Sequence, residues 1–365
     1  MRTSPLLFGL LTLTASAAVA QEGFVTPASA IGGAQVRRYS FGPGLATTWV
    51  RQVAVPLAVV FPVGRRLSVD IGSSYASTTV RDSSGSKSTL SGLTDTQIRA
   101  SYVFGNDFVV TTVMVNLPTG KKSDTTFKTG VAGNNFLQFP VNSYRNGPSA
   151  TGGLAIAGQT GGWNLGAAGS LRWTAKYEPF SGSGNLKYRP GVEGRFRVGV
   201  DRLVGSSRVA AGFTFSTFSD DRFTNRGVGP SSYSPGNRYI GEVSVTAPVG
   251  SGSLSAYGWN FYRSKRDTVS AQVGKEDILA GGISGNFQIA KKVALQPVAE
   301  ARFWYPEQGR GNLFGGGTAI RFELTPELVF VPSGRYDYGR IRSGIANYRR
   351  IKGWEVSGLL RYTFR

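Results

Sequence analysis

Long stretches of this chain place apolar residues at every second position, with polar or very small residues between them. From Trp163 to Tyr177, Trp163, Leu165, Ala167, Leu171, Trp173 and Tyr177 share one parity, and Asn164, Gly166, Ser170, Arg172, Thr174 and Lys176 the other. Side chains on a β-strand point to opposite faces with period two, so such a segment has one apolar and one polar face. The pattern returns at Val192–Asp201, Arg208–Phe215, Glu242–Ala247, Leu279–Ile289 and Ile320–Thr325.

Alternation alone also fits a soluble sandwich, but three features separate the two. The segments run roughly 12–16 residues, against a soluble norm of ~5–6. Short connections take turns with long ones. The short ones are Val63–Arg65, Asn106-Asp107, Gly161-Gly162, Ser206-Ser207, Ser251-Gly252 and Lys291-Lys292. The long ones are Asp82–Leu93, Gly120–Pro148, Glu178–Pro190, Phe223–Gly236, Lys265–Asp277 and Glu307–Gly316. Aromatic residues gather near strand ends on the apolar face, among them Tyr102, Phe104, Phe108, Trp163, Tyr177, Tyr239, Tyr257 and Trp259. Together these predict an all-β, transmembrane antiparallel β-barrel with short periplasmic turns and long outer loops. Closure leaves no backbone group unpaired in lipid.

Strands are expected near 34–41, 46–62, 67–81, 94–105, 108–119, 149–161, 163–177, 191–204, 208–222, 237–249, 253–264, 277–290, 293–306, 317–325, 327–341 and 352–365. That is about sixteen, with twelve to fourteen as alternatives and Asn135 to Tyr144 as a further candidate strand.

The N-terminus reads as an export signal over 1–20. Arg2 precedes the apolar run Leu6 to Ala15, and Ala18-Val19-Ala20 has the small-x-small form of a cleavage site. Residues 21–33 are then a short periplasmic segment and 34–365 the barrel, placed in the outer membrane of a Gram-negative bacterium. On the last strand Trp354, Val356, Gly358, Leu360, Tyr362 and Phe364 share a face. Tyr362 and Phe364 resemble the aromatic signal that barrel assembly machinery reads, although Arg365 follows them.

With apolar faces toward lipid, the lumen receives the other parity. Its candidate lining is Arg99, Arg172, Lys176, Glu193, Arg195, Arg197, Glu242, Glu300, Arg302, Arg321, Glu323 and Arg361, together with Asp70, Asp201 and Glu355. A lining of both signs favours water and polar or ionic solutes, and facing rows of opposite charge would set up a transverse field. The alternative is that these charges only brace one another across a closed barrel. The segment Gly120–Pro148 is a candidate constriction loop through Asp124, Phe127, Lys128, Phe136, Phe139, Tyr144 and Arg145. An ordinary exposed loop is the alternative.

The run Leu93-Thr94-Asp95-Thr96-Gln97-Ile98-Arg99-Ala100-Ser101-Tyr102, followed by Val115-Asn116-Leu117-Pro118-Thr119-Gly120-Lys121, resembles the transporter or MetA-pathway phenol-degradation family of outer-membrane barrels. The resemblance covers about 60 residues. It implies a barrel concerned with uptake of small, often aromatic or hydrophobic compounds, and it assigns no binding residue.

Composition narrows the chemistry. The chain has no His and no Cys, which excludes Ser-His triads, His-based zinc sites, thiolate chemistry and disulfides. Thr119-Gly120-Lys121-Lys122-Ser123 lacks the spacing of a phosphate loop, and Asp220-Asp221 beside Arg222 reads as a solvated loop rather than a cation site. No cofactor, no metal and no enzymatic reaction are expected. The formal net charge of +20 points to anionic lipopolysaccharide, through Arg145, Arg263, Lys265 and Arg266, and to anions in the pore, rather than to nucleic acid. The expected partners are outer-membrane lipids, the assembly machinery and a small solute, and a homo-oligomer stays open. The leading reading is a passive diffusion channel. Uptake of hydrophobic compounds and a closed structural or adhesive barrel are the alternatives.

Overall fold

In the computed structural model, described over residues 27–105, 108–123, 134–181, 186–225, 228–267, 272–342 and 347–364, the chain forms one closed antiparallel barrel. Among the described residues there is no helix. The N-terminal segment 1–20, Asp124, Phe127 and Lys128 lie outside the described residues.

The main sheet has 17 segments, two of which are halves of one broken strand, giving 16 strands. In chain order they are β1 Ser29–Phe41, β2 Thr47–Val63, β3 Leu67–Asp82, β4 in two pieces (Lys87–Leu93 and Thr96–Phe104), β5 Val109–Leu117, β6 Ser149–Thr160, β7 Trp163–Thr174 and β8 Glu193–Val204. The second half comprises β9 Ser207–Phe218, β10 Arg238–Val249, β11 Gly252–Arg263, β12 Glu276–Ala290, β13 Val293–Pro306, β14 Arg310–Glu323, β15 Leu328–Arg342 and β16 Arg349–Thr363. Each strand pairs with its chain neighbours, and β1 closes the circle on β16 from Ser29↔Thr363 to Phe41↔Ile351.

One end of the barrel carries tight turns and the other carries long connections. The outward face between them is greasy: Leu171 is 66% exposed, Val243 60% and Ile283 54%. Water would not tolerate such a belt, whereas hydrocarbon requires it. At its margins Trp163 carries Arg202 and Trp49 carries Arg38 over their rings, at 5.2 and 4.9 Å.

Four expectations change. The connections Asp82–Leu93 and Glu307–Gly316 are shorter than predicted, because Lys87–Leu93 and Arg310–Gly316 continue as strand against β3 and β15. Serine- and glycine-rich strand ends carry no alternation by which to recognise them. β1 starts at Ser29, ahead of the expected 34, since the last strand gives residues 29–33 backbone partners. Tyr257 and Trp259 face the lumen instead of lipid, and the Tyr257 hydroxyl donates to Glu300 at 3.1 Å. Both parities of β11 are partly apolar, so partners settle the choice. Tyr177 lies beyond the strand in a connection, bridged to Tyr188.

Candidate functional site

The segment after β5 turns into the barrel instead of away from it. Its entry and exit are tied at one carboxylate. Asp95, where β4 breaks, accepts the backbone N–H of Gly120 at 2.9 Å and of Asn146 at 2.7 Å, and the side-chain amide of Asn116 at 2.8 Å. Gly120 has no room for a side chain, because a Cβ there would strike the carbonyl of Tyr144. The Thr119 hydroxyl accepts the N–H of Thr96 at 2.9 Å.

From this base, residues 134–146 lie against one half of the lumen wall. Gln52 on β2 donates to the Val141 carbonyl at 2.7 Å and accepts its N–H at 2.8 Å. Tyr144 meets the Thr78 hydroxyl at 2.8 Å and donates to the Leu90 carbonyl at 3.0 Å. Arg37 on β1 donates to the carbonyls of Leu137 and Gln138, and Arg302 on β13 to that of Phe136 at 2.5 Å. Phe136 stacks on Trp304, and Phe139 meets Tyr39 edge-on, both with ring centroids 5.6 Å apart. Val50, Val80, Ile278, Leu313 and Ile351 complete this apolar cluster inside the barrel. Backbone polar groups this deep need partners, and side chains on β1, β2 and β13 supply them.

The neighbouring charges are braced laterally. Glu300 takes Arg302 and Arg335, Asp337 takes Arg335 at 2.8 Å and the Tyr39 hydroxyl at 2.9 Å, and Glu355 takes Arg37 and Gln35. These pairs lie within one strand or link neighbouring and next-but-one strands of one wall. They do not form two rows facing each other across a gap, so the expected transverse field is not what their arrangement builds.

The opposite wall is different. Strands β6–β9 present Gly153, Ala155, Gly166, Ala168, Gly199, Ala210 and Gly212 inward, leaving space. Into that space project Arg195, whose side chain is 44% exposed, and Arg208 at 41%, while Arg99 on β4 is 45% exposed. On the covered wall Arg302 is 2% exposed and Arg37 8%. Carboxylates here again pair sideways, Glu193 with Arg195, Glu242 with Arg197 and Asp201 with Arg208. Arg238 on β10 lies over the Phe218 ring at 4.7 Å, and its register partner on β11 is Arg263.

Pairing parity places Arg99, Arg172, Glu193, Arg195, Arg197, Glu242, Glu300, Arg302, Arg321, Glu323 and Arg361 on the inward face. Lys176 follows the end of β7 and is exposed. Arg321 and Glu323 pair at 2.9 Å near the turn end. Phe136, Phe139 and Tyr144 are buried at 0%, 6% and 3%. Their rings face the wall, so they do not line an open ligand site. Arg263 faces inward to Glu276 at 2.7 Å, and Arg145 belongs to the inward segment, so neither joins an outward lipid contact. Tyr362 and Phe364 stand exposed at the turn end with rings 5.0 Å apart. Arg37, Tyr39, Gln52, Arg335, Asp337 and Arg238 were missed. Arg335-Tyr336-Asp337-Tyr338 does carry a signal for two of them, because outward tyrosines imply inward charges.

Above the loop end, Lys187–Arg189, Asp221–Asn225 and Val228–Tyr233 form a small sheet. Tyr188 stacks on Phe223 at 4.5 Å and donates to Asp221 at 2.6 Å. Burial pushes the Tyr177 hydroxyl up to about 12. Lys122 and Lys187, bonded to Glu178 at 2.8 and 2.6 Å, hold its carboxyl down at about 2. Among the described residues, no group of His, Cys, Asp and Glu is placed to hold a metal.

No protein-family model and no curated protein matches this chain. Among solved structures, it is similar to a loop L8 deletion mutant of OmpT, an outer membrane protein of Vibrio cholerae. Identity is 12% over 92% of this chain and 99% of that one, with a TM-score of 0.43. A bacterial polysaccharide outer membrane secretin gives 9% over 92% and 98%, with a TM-score of 0.47. An anion-selective porin from Comamonas acidovorans gives 10% over the same shares, with a TM-score of 0.39. The MetA-pathway resemblance of Leu93–Tyr102 and Val115–Lys121 has no counterpart among the family models. Those residues build the anchor around Asp95.

Proposed function

We propose that this barrel is a passive diffusion channel in the outer membrane of a Gram-negative bacterium, with its long connections outside, passing small polar solutes and favouring anions. One observation carries the reading. The described part of the inward segment, residues 134–146, covers one half of the lumen wall, while the other half combines small residues with accessible arginines. Residues 134–148 carry one charge, Arg145, and no carboxylate. Low dielectric walls strengthen the field of such a lining, so anions gain over cations of equal size. Nothing in this function requires a cofactor or a reaction. Tyr362 and Phe364, exposed on the last strand, suit recognition by the assembly machinery.

Uptake of hydrophobic compounds has less support, because Phe136 and Phe139 are packed against Trp304 and Tyr39 instead of lining an open site. Liposome swelling tests the proposal. The refolded barrel should admit a small uncharged sugar, and a sugar acid faster than an amino sugar of similar size. Impermeable liposomes containing correctly folded barrel would overturn it.

A further inference from the structure

The outward face holds a second basic feature. On β14, β15, β16, β1 and β2 the lipid-facing parity carries Arg310, Arg340, Arg350, Lys352, Arg38 and Arg51 at the loop end. All are exposed except the half-buried Arg38. Register sets Arg340 directly opposite Arg350, and Arg38 directly opposite Arg51. Like charges facing one another across adjacent strands are destabilising, so the protein alone gives no reason for this row.

No carboxylate relieves it. On the outward parity of these five strands there is no Asp or Glu at any described position, since Asp337 and Glu355 both face the lumen. The Nε of Arg38 has no acceptor. Aromatic rings at the same level or nearer the loop end steady several of the cations: Arg38 lies over Trp49 at 4.9 Å, Arg310 over Tyr305 at 5.7 Å and Arg340 over Tyr348 at 5.9 Å. Beneath them Tyr338, Tyr336, Trp354 and Val356 are exposed and apolar. Around the opposite side of the barrel the corresponding level carries Leu117, Trp173, Gly194, Thr217, Tyr239 and Tyr262, none of them charged.

We propose that this row is a docking surface for the phosphorylated glycolipid of the outer leaflet, lipopolysaccharide. Its phosphates lie on the guanidinium groups and its acyl chains run down the apolar band. Charge complementarity argues for this occupant. Guanidinium forks bind phosphate bidentately, and the row sits directly above the upper aromatic margin, at headgroup depth. A second copy of this chain is a poorer occupant, because a self-complementary contact across this face would set the cations against one another. The proposal rests on the outer-membrane placement given above and not on the channel being open.

The test uses the whole barrel, purified in zwitterionic detergent and delipidated, with bound lipid followed by native mass spectrometry. Deep-rough lipopolysaccharide, the same lipid dephosphorylated, phosphatidylglycerol and inorganic phosphate are offered separately. Wild type should retain the phosphorylated glycolipid at least tenfold more tightly than its dephosphorylated form. Arg340→Ala/Arg350→Ala/Lys352→Ala should erase that difference, while Arg202→Ala at the turn end should preserve it. Equal retention of both lipids by the wild type overturns the proposal, and this comparison stands even if the triple variant does not fold. Equal binding by a folded triple variant overturns it too. Displacement of the glycolipid by stoichiometric phosphate or phosphatidylglycerol would mean a generic anion site and would also overturn it. Because none of these readouts involves permeation, failure here is distinct from failure of the channel reading.

Discussion

The carboxylate of Asp95 accepts the backbone N–H of Gly120 at 2.9 Å and, through its other oxygen, that of Asn146 at 2.7 Å. One side chain therefore ties both ends of the segment that enters the barrel. The strand that carries it is broken at that point. Asp95→Asn replaces one acceptor oxygen by a donor and strands a buried N–H, a loss of about 1–3 kcal/mol. Denaturant unfolding in detergent, followed by tryptophan emission, should show it. An unchanged midpoint would mean that Asp95 is not the anchor.

Phe136 fills the space between the inward segment and Trp304. Truncating a fully buried aromatic ring costs about 3–5 kcal/mol where the surroundings cannot collapse. Phe136→Ala should therefore loosen the segment, and single-channel records should become larger and noisier than those of wild type. Quiet, unchanged unitary currents would contradict a fixed segment that narrows the path.

Glu178 is held at about 2, bonded to Lys122 and Lys187. A carboxyl depressed in the folded state contributes stability above its ordinary value and loses it as pH falls through the folded one. Its contribution is thus complete near neutrality and disappears between roughly pH 4.5 and about 2. Pepsin cleavage of the connection between β7 and β8 should quicken across that window. In Glu178→Gln it should already be fast at the upper end, and a flat wild-type profile would refute the linkage.

Arg195 is the more exposed of the two accessible cations described on the small-residue wall, 44% exposed and balanced by Glu193 at 2.7 Å. Arg195→Glu reverses the local sign at a side chain that pairs with Glu193 on its own strand rather than with residues 134–146, the described inward residues. The reversal potential under a salt gradient should move toward the cation side. No movement would place the permeation path elsewhere.

Much of the barrel was legible because lipid on one side and water on the other impose period two on every strand. Most strands fall close to their predicted spans, with β1, β4 and β14 starting five to seven residues early, and the parity of Arg195, Arg197, Glu300 and Arg302 follows from their neighbours. The interior cluster was not legible. Tyr39, Val50, Ile278 and Ile351 break the polar rule for the lumen because Phe136, Leu137 and Phe139 come to meet them, and no pattern encodes the direction a loop takes. Lateral pairing was hidden for a related reason. Alternation shows which face Glu300 shares, but register decides that Arg302 and Arg335 reach it. At β11 the aromatic parity of Tyr257, Trp259 and Phe261 is the inward one and the outward parity is only partly apolar, so alternation fails to separate Tyr257 from the lipid belt.

The most direct test is the reversal potential of the refolded wild-type barrel in a planar bilayer under a KCl gradient. The account predicts steady unitary currents whose sign at zero voltage marks chloride as the favoured ion. Cation preference, or persistent silence from folded protein, would contradict it.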